Sequence, residues 1–267
     1  MTRHFSVNGT RYAADLRGAG PAIVALHAGI ATRRMYAPLV AGLENDHLVL
    51  AYDQPGFGES ELPAGPIAPE HEVFSLMDHA KIPNAVFVGT SFGCRVAFDA
   101  ALVAPDRVRG IIAAGAGLSG RNAPPGLQEA FRQVDELFER GDLDGANELE
   151  MRIWLDGVGR ERPLDPEVRA AAARMNLSVL QEAAAGREAE HMDPARPAVD
   201  HLAEVRCPVL VVMGECDQPH CVETARMIAN QVPNSRLVTM PETAHLPSLE
   251  RPDEFIDLVR EFIAGLP

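Results

Sequence analysis

A hydroxyl, an imidazole and a carboxylate suffice for acyl transfer once they meet, and this chain offers one of each. Ser91 sits in Gly89-Thr90-Ser91-Phe92-Gly93, Asp217 in Gly214-Glu215-Cys216-Asp217, and His245 in Pro241-Glu242-Thr243-Ala244-His245-Leu246-Pro247. A serine hydroxyl is a poor nucleophile at neutral pH. It needs a base to take its proton and a third group to orient that base. Ser91 supplies the nucleophile, His245 the base and Asp217 the orienting acid.

The elements around these residues place them on one rim. Ala85-Val86-Phe87-Val88 is an apolar run of strand length, and Cys94 to Leu102 reads as a helix ended by Ala104-Pro105-Asp106. A G-x-S-x-G sequence between strand and helix is a nucleophile elbow, whose glycines permit the sharp turn that lifts the hydroxyl above the sheet. Asp217 follows the Pro208 to Met213 strand, and His245 follows the last strand, Arg236 to Met240. Residues at the carboxyl ends of parallel strands line the ligand crevice of an open α/β sheet.

Other readings of these residues stay open at this level. Asp217 could instead cap the helix that starts at Pro219, a role aspartate often fills. Glu215 is the substitute acid and His220 the spare base. A tetrahedral intermediate also needs two donors for its oxyanion. The backbone N–H of Phe92, next after the nucleophile, is one; the N–H of Gly29, after the Ala22 to Leu26 strand, is the other, with Ala28 the neighbouring alternative. His27 reads as a structural histidine beneath that loop.

Composition narrows the function classes. The chain has 267 residues, 46% hydrophobic and 23% charged, ordinary values for a globular enzyme. Its formal net charge of −14 repels a phosphate backbone and an anionic bilayer, so neither nucleic acid nor membrane is an expected partner. No apolar stretch reaches transmembrane length, and Met1 to Phe5 lacks a signal-peptide core, which points to the cytoplasm. Cys94, Cys207, Cys216 and Cys221 read as reduced thiols. Cys216, His220 and Cys221 lie close together without paired Cys-x-x-Cys or His-x-x-x-His units, so no metal is expected.

Along the chain, Arg3 to Val7 and Thr10 to Leu16 flank Asn8-Gly9, a hairpin signal. Strands then alternate with helices (Arg33 to Leu43, Glu70 to Ala80, Pro219 to Gln231, Pro252 to Ala264), which implies a mostly parallel sheet after an antiparallel start. The stretch from Leu118 to Leu202 breaks the rhythm. It holds helices such as Gly126 to Arg140 and Pro166 to Ala189 but no strand, and reads as a helical cap. The expected organisation is a core of residues 1–117 and 203–267 with a cap of residues 118–202. Met151, Trp154, Leu155 and Leu177 are the candidate wall residues for substrate. Arg33 and Arg34 could meet an acidic substrate, although exposed helix arginines are the commoner outcome.

With these features assembled, the chain resembles the α/β-hydrolase fold enzymes over nearly all of its length. The resemblance rests on His27-Ala28-Gly29 with Met35-Tyr36, on Asp53-Gln54-Pro55-Gly56-Phe57-Gly58-Glu59-Ser60, on the Ser91 pentapeptide, and on Asp217 with His245 in that order. Ala28 stands where the family's oxyanion loop usually has glycine, and Cys94 where many relatives have another glycine. The resemblance implies that the Asp53 loop supports the site structurally. Serine at 91 separates the chain from similar dehalogenases and epoxide hydrolases, which use a carboxylate nucleophile. The implied function is hydrolysis of a carboxylic ester or lactone by Ser91, His245 and Asp217 through an acyl-enzyme, without a cofactor. C–C bond hydrolysis, hydroxynitrile lysis, peroxyacid formation and a low-turnover ligand sensor share the same fold and triad.

Overall fold

The computed structural model describes residues 2–266; Met1 and Pro267, the outer ends of the expected core, lie outside them. Strands β1 (Arg3–Val7) and β2 (Thr10–Arg17) form the hairpin, with Asn8 and Gly9 both at positive φ, 52° and 83°. A two-residue turn of this hand needs that conformation at both positions, which is why Asn-Gly specifies it. Six further strands follow: β3 (Ala22–Leu26), β4 (Leu48–Tyr52), β5 (Ala85–Thr90), β6 (Val108–Ala114), β7 (Val209–Gly214) and β8 (Ser235–Met240). Among the described residues they make one sheet in the order β1-β2-β4-β3-β5-β6-β7-β8. β2 is antiparallel to β1 and β4, and the remaining pairings are parallel.

The helices up to the break are α1 (Ala37–Leu43), preceded by a 3-10 turn at Arg33–Tyr36, then α2 (Pro69–His79) and α3 (Phe92–Val103). Between β6 and β7 lie α4 (Pro125–Glu139), α5 (Leu143–Trp154), α6 (Pro166–Ala184) and the short α7 (Ala198–His201). After β7 come α8 (Pro219–Gln231), the short α9 (Pro247–Glu250) and α10 (Pro252–Ala264). Alternation along each strand feeds two cores. Val24 and Leu26 of β3 pack with Phe74, Phe98 and Ile228, while Ile23 and Ala25 pack with Leu39, Phe255 and Val259. Helices α2, α3 and α8 thus cover one face, and α1 and α10 the other.

Two expectations about the helical stretch need correction. Helix α6 ends at Ala184 rather than Ala189, because Gly186 turns the chain at φ 73° and the Arg187 N–H closes back on the Glu182 carbonyl. Ala198 and Leu202, assigned from sequence to the cap, are fully buried in the core beneath the sheet.

Arg33 also differs from expectation. It is buried, not exposed, and its guanidinium pairs with the fully buried Asp53. Asp53 further accepts the Arg33 backbone N–H at 2.8 Å and the Glu59 N–H at 2.9 Å. Arg33 reaches Asp15 at 3.3 Å and Glu59 at 3.2 Å. Arg34 stays on the surface against Glu59. The Asp53 loop is therefore tied by charge to the segment after β3. Asp53→Ala leaves a buried guanidinium without its main partner, and is expected to cost about 3–5 kcal/mol in urea unfolding. A loss under about 1 kcal/mol would show that Asp15 and Glu59 carry the cation without it.

Candidate active site

The elbow is held by close contact. Ser91 joins β5 to α3 with φ 55° and ψ −109°, a conformation that costs a non-glycine residue about 1–3 kcal/mol. Its N–H donates to the Ala114 and Gly115 carbonyls, and its own carbonyl accepts from the Cys94 and Arg95 N–H groups. A Cβ on Gly89 would lie 2.4 Å from the Gly93 carbonyl oxygen, and one on Gly93 only 1.9 Å from that of Leu26. Neither position accepts a side chain. Cys94 behind them is fully buried in the core, and burial pushes its thiol up to about 12. It remains a protonated packing group at neutral pH.

Asp217 and His245 meet on the neighbouring strand ends. The imidazole Nδ1 lies 2.9 and 3.1 Å from the two carboxylate oxygens, both side chains being 2% exposed. The Gln218 N–H also donates to Asp217, at 2.7 Å. Gln218, not Asp217, is the N-cap residue of α8, so Asp217 is committed mainly to His245. Burial is the largest single influence and pulls the imidazole down, but the charges and hydrogen bonds of Asp217 and Cys221 together outweigh it and hold His245 well above its ordinary value. Nε2 is buried and has no hydrogen-bond partner among the described residues, so Ser91 and His245 share a cavity without being joined. Such contacts are often long before substrate arrives. Glu215 turns elsewhere and accepts the Glu242 N–H.

Residues with no sequence signal hold the histidine in place. Glu250, 1% exposed, accepts the N–H groups of Ala244 and Leu246 on either side of His245, and pairs with buried Arg160. The His245 N–H donates to the Trp154 carbonyl at 3.2 Å, and the Val158 N–H to that of Cys216 at 2.7 Å. The end of α5 is thereby stitched to both the loop that carries Asp217 and the loop that carries His245.

The loop after β3 is set by a neutral histidine. Burial lowers His27, and the Gln54 N–H donates to its Nε2 at 3.0 Å, which puts the ring proton on Nδ1. That Nδ1–H donates to the Ala28 carbonyl at 2.8 Å. In a planar trans peptide the Gly29 N–H points opposite to that carbonyl, away from His27. Gly29 and Phe92 line the same cavity as Ser91. The Phe92 N–H is the first of α3 and has no intrahelical acceptor. Space alone does not demand glycine at 29, since a Cβ there would meet only the Phe92 Cβ, at 3.9 Å.

Two adjoining cavities open on Ser91, of about 290 and 270 Å³, and share Ser91, Phe131, Trp154 and His245. Two larger cavities, each about 440 Å³, touch none of the three triad candidates. Of the four wall candidates, Trp154 lines both cavities, its ring 4.3 Å from that of His245. Met151 and Leu155 are instead fully buried in the packing below, and Leu177 is half-buried on α6 outside both cavity linings. Ile30, Leu127, Phe131, Arg121 and Glu150 line the cavities and were missed from sequence. The four-residue spacing of Leu127 and Phe131 on α4 was a usable signal. Among the described residues, the cluster with metal-ligand chemistry is Asp217, Cys221 and His245, within 4.8 Å of one another, rather than Cys216, His220 and Cys221.

Known proteins with similar sequences and folds bear on this arrangement. The family model for the alpha/beta hydrolase family matches residues 23–258. The pimeloyl-(acyl-carrier protein) methyl ester esterase of Xanthomonas campestris is 28% identical over 95% of this chain and 99% of its own. The 3-oxoadipate enol-lactonase 2 of Acinetobacter baylyi is 26% identical over 83% of this chain and 80% of its own. Among solved structures, the enol-lactonase from Burkholderia xenovorans superposes with a TM-score of 0.80 at 26% identity, covering 98% of this chain and all of that one. The buried Asp217–His245 pair, the strained Ser91 turn and this match over most of the sequence lead to one conclusion: the chain belongs to the alpha/beta hydrolase family.

Proposed function

We propose that this protein hydrolyses a carboxylic ester or lactone, with Ser91 as nucleophile, His245 as base and Asp217 as the acid that orients it. The observation that carries the reading is the buried contact between His245 Nδ1 and the Asp217 carboxylate, beside a serine held in a strained turn. The esterase and enol-lactonase names of its relatives agree with it. Ser91 attacks the carbonyl carbon as His245 takes the hydroxyl proton, and the Gly29 and Phe92 N–H groups receive the oxyanion. Collapse of the tetrahedral species breaks the bond to the alcohol, which leaves with the proton from His245. His245 then takes a proton from water, which attacks the acyl-enzyme and releases the acid and free Ser91.

Helices α4, α5 and α6 act as a cap in this reading, with Trp154 its main contact on the chemistry. The stitches from α5 to the Cys216 and His245 loops favour a cap fixed at that edge. Among the described residues no helix is long and apolar enough to cross a membrane, in keeping with a small-molecule substrate taken from water.

A fluorophosphonate probe followed by intact mass, with p-nitrophenyl acetate and butyrate turnover alongside, tests the nucleophile. Wild type should take one label and turn over both esters, and Ser91→Ala should do neither, with turnover reduced at least about a thousandfold. A folded wild type that stays unlabelled would falsify the triad and favour a ligand sensor.

The raised His245 pKa gives a second test. Only neutral imidazole can accept the proton, so the acid limb of kcat/KM should lie above the ordinary value of 6.5. The stabilising charge pair behaves oppositely: its contribution is full below 6.5 and fades as pH rises through the folded pKa. Activity should therefore climb with pH while the unfolding free-energy gap between wild type and His245→Gln narrows. An acid limb below about 6 would mean that burial, not Asp217, governs the imidazole.

A further inference from the structure

The two cavities at Ser91 differ in charge. The smaller arm carries Ile30 and the carboxyl of Glu150, which accepts from buried Asn176 at 2.6 Å. The other arm carries Arg121, His220 and Asn122. Arg121 is 19% exposed, yet among the described residues its one ion pair is a 3.4 Å contact with Glu223, which is 70% exposed. A pair with so wet a partner is worth little. Its Nε–H donates to Thr224 at 2.6 Å, and the Thr224 hydroxyl in turn donates to the His220 carbonyl, so the guanidinium is aimed by a neutral anchor. His220 is pushed down by burial and by Arg121, and stays uncharged. The Asp217 carboxylate is taken up by His245 and the Gln218 N–H. In a protein of net charge −14, this leaves a positive group with spare donors facing the cavity of the nucleophile.

We propose that the Arg121 arm binds an anionic group of the substrate, so that the enzyme prefers esters or lactones carrying a carboxylate over neutral ones of equal size. Glu150 marks the opposite arm as the wrong place for that carboxylate, and the two together fix which way round the substrate lies. This inference rests on the hydrolase reading above.

Two isosteric pairs test it without assuming which arm holds the acyl group. Monomethyl adipate is compared with methyl 6-methylheptanoate, and the acetate ester of 4-hydroxybutanoate with 4-methylpentyl acetate. In wild type, the anionic member of at least one pair should have the higher kcat/KM, by about tenfold or more, and the ratio should fall as salt is raised. Arg121→Gln should cut that ratio about tenfold, and Arg121→Lys should restore part of it. Absence of a charge preference in both wild-type pairs, with the neutral esters turned over, overturns the proposal and leaves the hydrolase reading standing. So does a parallel loss on both members of a pair in Arg121→Gln. If none of the four esters is turned over and Ser91 takes no fluorophosphonate, the hydrolase reading falls and this inference with it. Should Arg121→Gln fail to fold, the salt dependence of the wild-type ratio and the Lys variant decide.

Discussion

The approach of α3 to β3 at Gly93 is the contact on which the site depends. There the helix backbone comes so near the Leu26 carbonyl that no side chain fits between them. The contact fixes the height of Ser91, because the turn has one residue in which to connect β5 to a helix already seated on the sheet. It also registers Ser91 against the loop after β3. Leu26 is the last residue of that strand, and His27, Ala28 and Gly29 continue directly from it. The same Leu26 carbonyl accepts the buried Tyr36 hydroxyl, which also bonds Thr90 at the end of β5. Ser91 and the loop after β3 are therefore positioned by one patch of backbone rather than by two independent loops.

The remaining loops are fastened by buried charge. Asp53 and Arg33 hold the segment after β4 to the segment after β3, and Glu250 with Arg160 holds the His245 loop to the stretch after α5. Pairs of this kind add modest net stability, since each ion gives up its hydration. Their effect is geometric. A carboxylate that accepts two or three backbone N–H groups admits few alternative loop conformations, and Asp53 and Glu250 both do so.

The parallel sheet was legible because its strands are short, apolar runs bounded by turn residues, and the Ser91, Asp217 and His245 positions follow from where those runs end. The hairpin was legible from Asn8-Gly9 alone. Burial of Arg33 was not, since a lone arginine after a loop looks the same whether or not an aspartate further along the chain is folded beneath it. Glu250 and Arg160 escaped for the same reason, their meeting being set by tertiary packing and not by local pattern. The overlong reading of α6 came from trusting alanine propensity at 183–185 over the stop signal at Gly186. Met151 and Leu155 show the opposite error, since apolar residues on a helix that closes a site usually serve that helix's own packing.

The sequence contains a single tryptophan, and it is Trp154, packed on the His245 ring. All indole emission from this protein therefore originates in the cavity that holds Ser91. A neighbouring imidazolium quenches indole more strongly than neutral imidazole does, so emission intensity should follow the protonation of His245 without any added label. The wavelength of that emission reports how wet the cavity is, and a substrate that displaces water from the ring changes it on binding. The fold carries its own optical probe beside the histidine.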